Sequence, residues 1–186
     1  MWTEFSDGDY PSDFTWMGYW DGYTEAGKDM DIRAKNGTEM YAAANKFIEQ
    51  CSHSDWGAWV LLQAGDFTNQ NHLTEFSDCN YKDGKNDDDL LEANVAYAEV
   101  LAERGFTGES LGMAQLWPRA GAPAGMGNAP SFKWVVGHVD CAAYSNFTNE
   151  LWNKGLILEF NRLFGDIVQC DSNRVYHSQV IRTPGD

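Results

Sequence analysis

A stretch near the start of the chain recurs near its end, and an internal repeat narrows the folds open to a sequence more than composition does. Phe132-Lys133-Trp134-Val135-Val136-Gly137-His138-Val139-Asp140 answers Phe14-Thr15-Trp16-Met17-Gly18-Tyr19-Trp20-Asp21, with one residue inserted before Gly137. Asp21 precedes Cys51 by 30 residues, and Asp140 precedes Cys170 by 30. Ile48-Glu49-Gln50-Cys51 then matches Ile167-Val168-Gln169-Cys170 at the same offset of 119.

Local signals give each copy its elements. Residues 2–5 read as a strand, residues 6–13 as a polar turn and Phe14 to Trp20 as an aromatic strand. Thr24 to Gln50 is helical, with a break expected at Lys35-Asn36-Gly37 and a cap at Thr38. Met40, Ala43, Ala44 and Phe47 give that helix an apolar stripe, and Trp56 to Leu62 reads as a buried strand. Residues 64–72 form a polar linker. Leu73 to Tyr81 is a strand, and a helix begins near Asn86 or Asp87 with Leu91, Val95, Ala98 and Ala102 as its apolar face and Gly105 as its stop. Gly112 to Trp117 and Phe132 to Val139 are strands across a Gly/Pro/Ala-rich loop. Ser145 to Asp166 is helical, and Tyr176 to Arg182 is the last strand.

Residues 73–183 thus run β-α-β-β-α-β, the order of a complete ferredoxin-like unit with two helices on one face of an antiparallel sheet. Residues 1–63 supply only β-β-α-β, without the first strand and helix. The expected class is α+β: tandem ferredoxin-like repeats forming an α+β barrel, the first incomplete. A sheet lacking its central strand leaves backbone groups unpaired, so about 40 to 60 further residues and an export signal are expected ahead of residue 1.

The charge is −15, from 13 basic and 28 acidic residues spread along the chain. Such a surface repels nucleic acid and anionic membranes. No apolar run is long enough to span a bilayer. Met1-Trp2-Thr3-Glu4-Phe5-Ser6-Asp7 has neither the basic nor the apolar region of a signal peptide. The expected location is therefore cytoplasmic if Met1 is the native start and extracytoplasmic if residues precede it. Asn36-Gly37-Thr38 and Asn146-Phe147-Thr148 fit the glycosylation triplet, a pattern common by chance.

Cys51, Cys79, Cys141 and Cys170 are too widely spaced for a zinc knuckle or a thioredoxin-like pair, which leaves buried thiols or one or two disulfides. Asp87-Asp88-Asp89 lacks the alternating ligands and closing Glu of a calcium loop and suits the first turn of a helix. No phosphate loop, nucleophile elbow or metal-binding helix motif is found, and no cofactor is expected. A haem would need His138 or His177 as its axial ligand.

Paired ferredoxin-like units with Trp-rich third strands and a Cys at the last strand resemble the dimeric α+β barrel superfamily in its tandem form. Cys79-Asn80-Tyr81-Lys82-Asp83-Gly84-Lys85 and Phe132 to Cys170 are also similar to a group of uncharacterised bacterial proteins, many of them exported. The resemblance implies a fold rather than one chemistry, since relatives include cofactor-free monooxygenases, haem-degrading enzymes, peroxidases, lactone isomerases and binding modules. In the ferredoxin-like order 4-1-3-2 the end of strand one lies beside the start of strand four. That makes Cys79 and Cys170 the favoured disulfide, gives Cys51 a partner in the missing strand, and leaves Cys141 free.

The barrel interior is the usual small-molecule pocket of such folds. His138, His177, Tyr81, Trp16, Trp20 and Trp134 are the candidates to line it, with a histidine as general base or ligand. The residue inserted before Gly137 suggests a bulge that re-aims His138. Against this stands simple core packing, the usual fate of strand aromatics and of a hydrogen-bonded histidine. Two functions follow. One is binding of a small apolar or aromatic molecule, with cofactor-independent oxygenase or isomerase chemistry. The other is a non-enzymatic exported protein that builds an assembly. A homo-oligomer suits either.

Overall fold

A computed structural model of the protein describes residues 18, 20, 22–44, 46, 55–65, 72–120 and 130–179. The strand read at residues 2–5, most of that at 14–20, the Phe47 end of the first apolar stripe, and Cys51 lie outside them. The chain divides into two compact units, Met1–Trp56 with Pro118–Met126, and Gly57–Trp117 with Gly127–Asp186.

The first unit contains α1, Tyr23–Ala44, which runs unbroken through the expected stop at Gly37. Asn-Gly is a turn signal, and glycine's low helix propensity is a weak prior that surroundings override. The Arg119 guanidinium lies 4.5 Å from the centre of the Tyr23 ring, a cation–π contact within this unit.

The remaining elements are β1 (Asp55–Leu62), β2 (His72–Tyr81), α2 (Asp87–Glu103), β3 (Leu111–Ala120), β4 (Phe132–His138), α3 (Cys141–Asn153), α4 (Leu156–Phe164), β5 (Val168–Cys170) and β6 (Arg174–Ser178). The class is α+β. The six strands form one sheet in the order β1-β3-β4-β2-β5, with β6 also on β2. β2 is antiparallel to β4, β5 and β6, and β3 to β4. The sheet is open, with β1 and β5 at its two ends, so this chain's strands close no barrel among the described residues. The run read as a buried strand is an edge strand, with Trp59 43% and Val60 37% exposed.

α2 starts where its capping chemistry dictates. Asn86 Oδ1 accepts from the Asp88 N–H at 2.8 Å, and the Asn86 N–H donates to Asp89 Oδ2 at 3.2 Å, a reciprocal cap. Lys85 pairs with Asp89 at 2.7 Å and holds its carboxyl below the usual range, so the acidic run is a helix start. The helix buries Leu90, Ala93, Asn94, Tyr97 and Leu101. The expected face is turned outward, with Leu91 36% and Val95 57% exposed. Asn94 interrupts the true stripe, which is why apolar periodicity pointed to the neighbouring one.

The single helical region expected from Ser145 to Asp166 is two helices. α3 begins earlier, where Asp140 Oδ1 accepts from the Ala143 N–H at 2.7 Å. Gly155, at φ +82, ends the run in a left-handed conformation that suits glycine, and α4 restarts at Leu156. Between helices and sheet, Tyr97 and Trp134 meet each other and both Phe160 and Phe164 edge to face, with Trp134–Phe164 centroids 5.0 Å apart and Tyr97–Phe164 centroids 5.4 Å apart. Burial pushes the Tyr97 phenol up.

β5 and β6 together form one edge of the sheet. Cys79 stands opposite Cys170 and Phe76 opposite Arg174, so residues 77–78 of β2 face three residues, 171–173, of the edge strand. That is a β-bulge. No bulge occurs at Gly137, because β4 keeps one unbroken register with β2 and β3 from one end to the other. Ordinary alternation aims His138.

Cys79 and Cys170 form the disulfide, their Cα atoms 4.0 Å apart, and Cys141 is free and exposed. The bond spans a sequence separation of 91. Replacing both cysteines with alanine is expected to lower unfolding free energy in urea by about 2–4 kcal/mol. A non-reducing digest should contain the Cys79 and Cys170 peptides as one linked species, and its absence would exclude the pairing.

Candidate functional site

Two arrangements of side chains stand out on the helix-facing side of the sheet. The first surrounds Glu75. This carboxylate sits mid-strand at 6% exposure, and His138, on the adjacent β4, is 0% exposed. Glu75 Oε1 meets His138 Nε2 at 2.7 Å, and Glu75 Oε2 accepts from Asn173 Nδ2 at 2.7 Å. Asn173 belongs to the bulge, and its Oδ1 accepts in turn from the Ser77 hydroxyl. The His138 ring packs against Tyr144 and Phe147 at 5.3 and 5.4 Å. Its Nδ1 has no hydrogen-bond partner among the described residues. A proton on Nε2 suits the contact, since that nitrogen then donates to Glu75 Oε1.

The second arrangement is a cleft of about 170 Å³ lined by Trp59 of β1, Trp117 of β3, and Asp87, Leu90, Leu91 and Asn94 of α2. The two indoles are 6.5 Å apart and inclined by 52°. The Asn94 amide is already engaged with Gln115, donating to its Oε1 at 2.8 Å and accepting from its Nε2 at 2.9 Å. The Tyr81 hydroxyl donates to Asp87 Oδ1 at the rim. Burial first and Asp87 second push the Tyr81 phenol up, while the Trp117 N–H acts in the opposite direction.

A third, shallow groove runs along Asp78, Asn80, Tyr81, Lys82, Asp83, Gln169, Cys170 and Asp171. Its carboxylates at the bulge are taken up. Asp78 pairs with the buried Lys133 at 2.5 Å and with Arg174 at 3.0 Å, and Arg174 also reaches Asp171 at 3.5 Å.

The sequence-nominated residues are therefore dispersed. His138 is enclosed in the core with Glu75. Trp134 is a core residue between Tyr97 and the α4 phenylalanines. His177 lies exposed on β6, opposite Leu73. Tyr81 packs on Phe132 at 5.7 Å and touches the cleft through Asp87. Trp20 is half-buried outside any helix or strand, and Trp16 lies outside the described residues. Sequence reasoning passed over Glu75, Asn173, Trp59, Trp117, Asp87 and Asn94. An asparagine on a helix stripe was a signal for one of them.

Among the described residues no group of three or more His, Cys, Asp or Glu could hold a metal ion, and no helix is long and apolar enough to cross a membrane. Compared with known proteins, the chain matches no family model, no curated protein and no solved structure.

Removing Glu75 would leave the buried His138 Nε2 without an acceptor and take one from Asn173 Nδ2 at the exposed bulge. Glu75→Leu is expected to cost about 3 kcal/mol or more in urea unfolding. Adding His138→Phe should recover part of that loss, because the orphaned imidazole goes with it. A double-variant cost equal to the sum of the two single-variant costs would show that the two residues act independently.

Proposed function

We propose that the protein binds a small apolar or aromatic molecule in the Trp59–Trp117 cleft. The observation that carries this is a pair of inclined indoles on a water-accessible wall, backed by leucines, with the polar amide of the lining already paired. Concave apolar surface with few free polar groups is what small-ligand sites offer. The volume supports one ring or one compact head group, since a cavity of about 150 Å³ takes a benzene.

In this reading the scaffold is a ferredoxin-like unit of a tandem pair, related to the dimeric α+β barrel proteins. The order β2-α2-β3-β4-α3-α4-β5, with β2 between β4 and β5, supports it. Binding is favoured over oxygenase or isomerase turnover. Asp87 is the one titratable side chain of the cleft lining among the described residues, and His138, the residue suited to proton transfer, faces packed rings.

Phenol, followed by ligand-detected NMR, tests the reading. Binding to the wild-type chain is expected, and Trp59→Ala should weaken it by about tenfold, a typical loss for an aromatic anchor. The urea midpoint should barely move, because Trp59 is 43% exposed. Unchanged affinity in both Trp59→Ala and Trp117→Ala would refute the site.

A further inference from the structure

Resting on that reading of the cleft, we propose that its ligand carries a cationic ammonium head, seated between Trp59 and Trp117 and facing Asp87. Indole faces carry the negative lobe of the ring quadrupole and attract cations more strongly than other aromatic rings do. The 52° inclination at 6.5 Å makes the pair an open notch rather than a closed stack, so ring surface remains for a guest.

Asp87 supplies the formal charge. Its one hydrogen bond among the described residues comes from a neutral donor, the Tyr81 hydroxyl, and no ion pair is formed with it. Its neighbours differ: Asp89 is paired with Lys85, and Asp78 with Lys133 and Arg174. An uncompensated carboxylate beside two indoles selects for positive charge.

The same residues disfavour the alternatives. Among the described residues the lining holds no Lys, Arg or His to meet an anion. The first backbone N–H groups of α2, which would otherwise attract one, are served by the Asn86–Asp89 cap, and the first turn carries Asp87, Asp88 and Asp89. The chain's charge of −15 draws cations toward the surface and repels anions. A polar neutral ligand would have to compete with Gln115 for the Asn94 amide. A trimethylammonium or protonated amine head needs only ring faces and a carboxylate, and a cleft of about 170 Å³ has room for one.

Choline and its uncharged isostere 3,3-dimethyl-1-butanol separate the contribution of charge from that of shape. Both would be titrated calorimetrically into the intact, oxidised chain. Choline is expected to bind about tenfold more tightly, with a preference that shrinks as salt rises. Asp87→Asn, which keeps an acceptor for Tyr81, should reduce that preference to near unity and leave the isostere's affinity in place. Trp59→Leu, which keeps apolar surface but removes the ring, should reduce it too. Equal or tighter binding of the isostere would overturn the cation proposal and leave the cleft standing. Binding of neither probe would overturn both. A choline preference untouched by either variant would place the cation elsewhere and overturn the assignment to this cleft.

Discussion

A carboxylate in the middle of a sheet has to be satisfied before the sheet is worth forming, and Glu75 imposes that condition here. Left alone in the interior, an ionised side chain costs several kcal/mol. Its two oxygens are met from two different strands, by His138 on β4 and by Asn173 from the bulged edge. A slip of one residue between β2 and β4 would move His138 to the opposite face and strand the carboxylate. Register on both sides of the central strand is therefore written into the contacts of one carboxylate. The bulge is part of the solution, since the extra residue at 171–173 delivers Asn173 to Glu75.

The Asn94–Gln115 pair meets the same requirement without charge, joining α2 to β3 through two reciprocal bonds. Between these polar clasps lies a close-packed aromatic core in which Tyr97, Trp134 and Phe164 leave little space. What remains concave is at the margin, where β1 ends the sheet and the first turns of α2 pass over it. Apolar surface that the core does not consume is the material from which a binding site can be made.

Several elements were legible because their signals are local. The start of α2 at Asn86, its stop before Gly105 and the positions of β2, β3 and β4 follow from capping, left-handed glycine and alternation. The Cys79–Cys170 pairing followed from strand order, which puts the two residues directly opposite. Other features depend on partners distant in sequence. Gly37 breaks nothing in α1. Leu91 and Val95 look like a core stripe, yet the buried face is the one carrying Asn94, whose acceptability depends on Gln115. The bulge expected at Gly137 does not form, because β4 keeps its register with both neighbours, and the bulge at 171–173 is a separate feature of the edge strand. The cleft was not legible at all: Trp59 and Trp117 are 58 residues apart and only the pairing of β1 with β3 brings them together.

The bulged edge has a further consequence, for the behaviour of the protein in company. An exposed, flat strand edge offers a row of backbone donors and acceptors on which another chain can grow. Here the edge is broken into β5 and β6, kinked by its extra residue, studded with Asp171 and Arg174, and fastened to the central strand by Cys79–Cys170. A neighbouring molecule that tried to extend the sheet on this side would find no continuous ladder to copy. The device that satisfies a buried carboxylate thus also gives the protein a guarded flank against polymerisation.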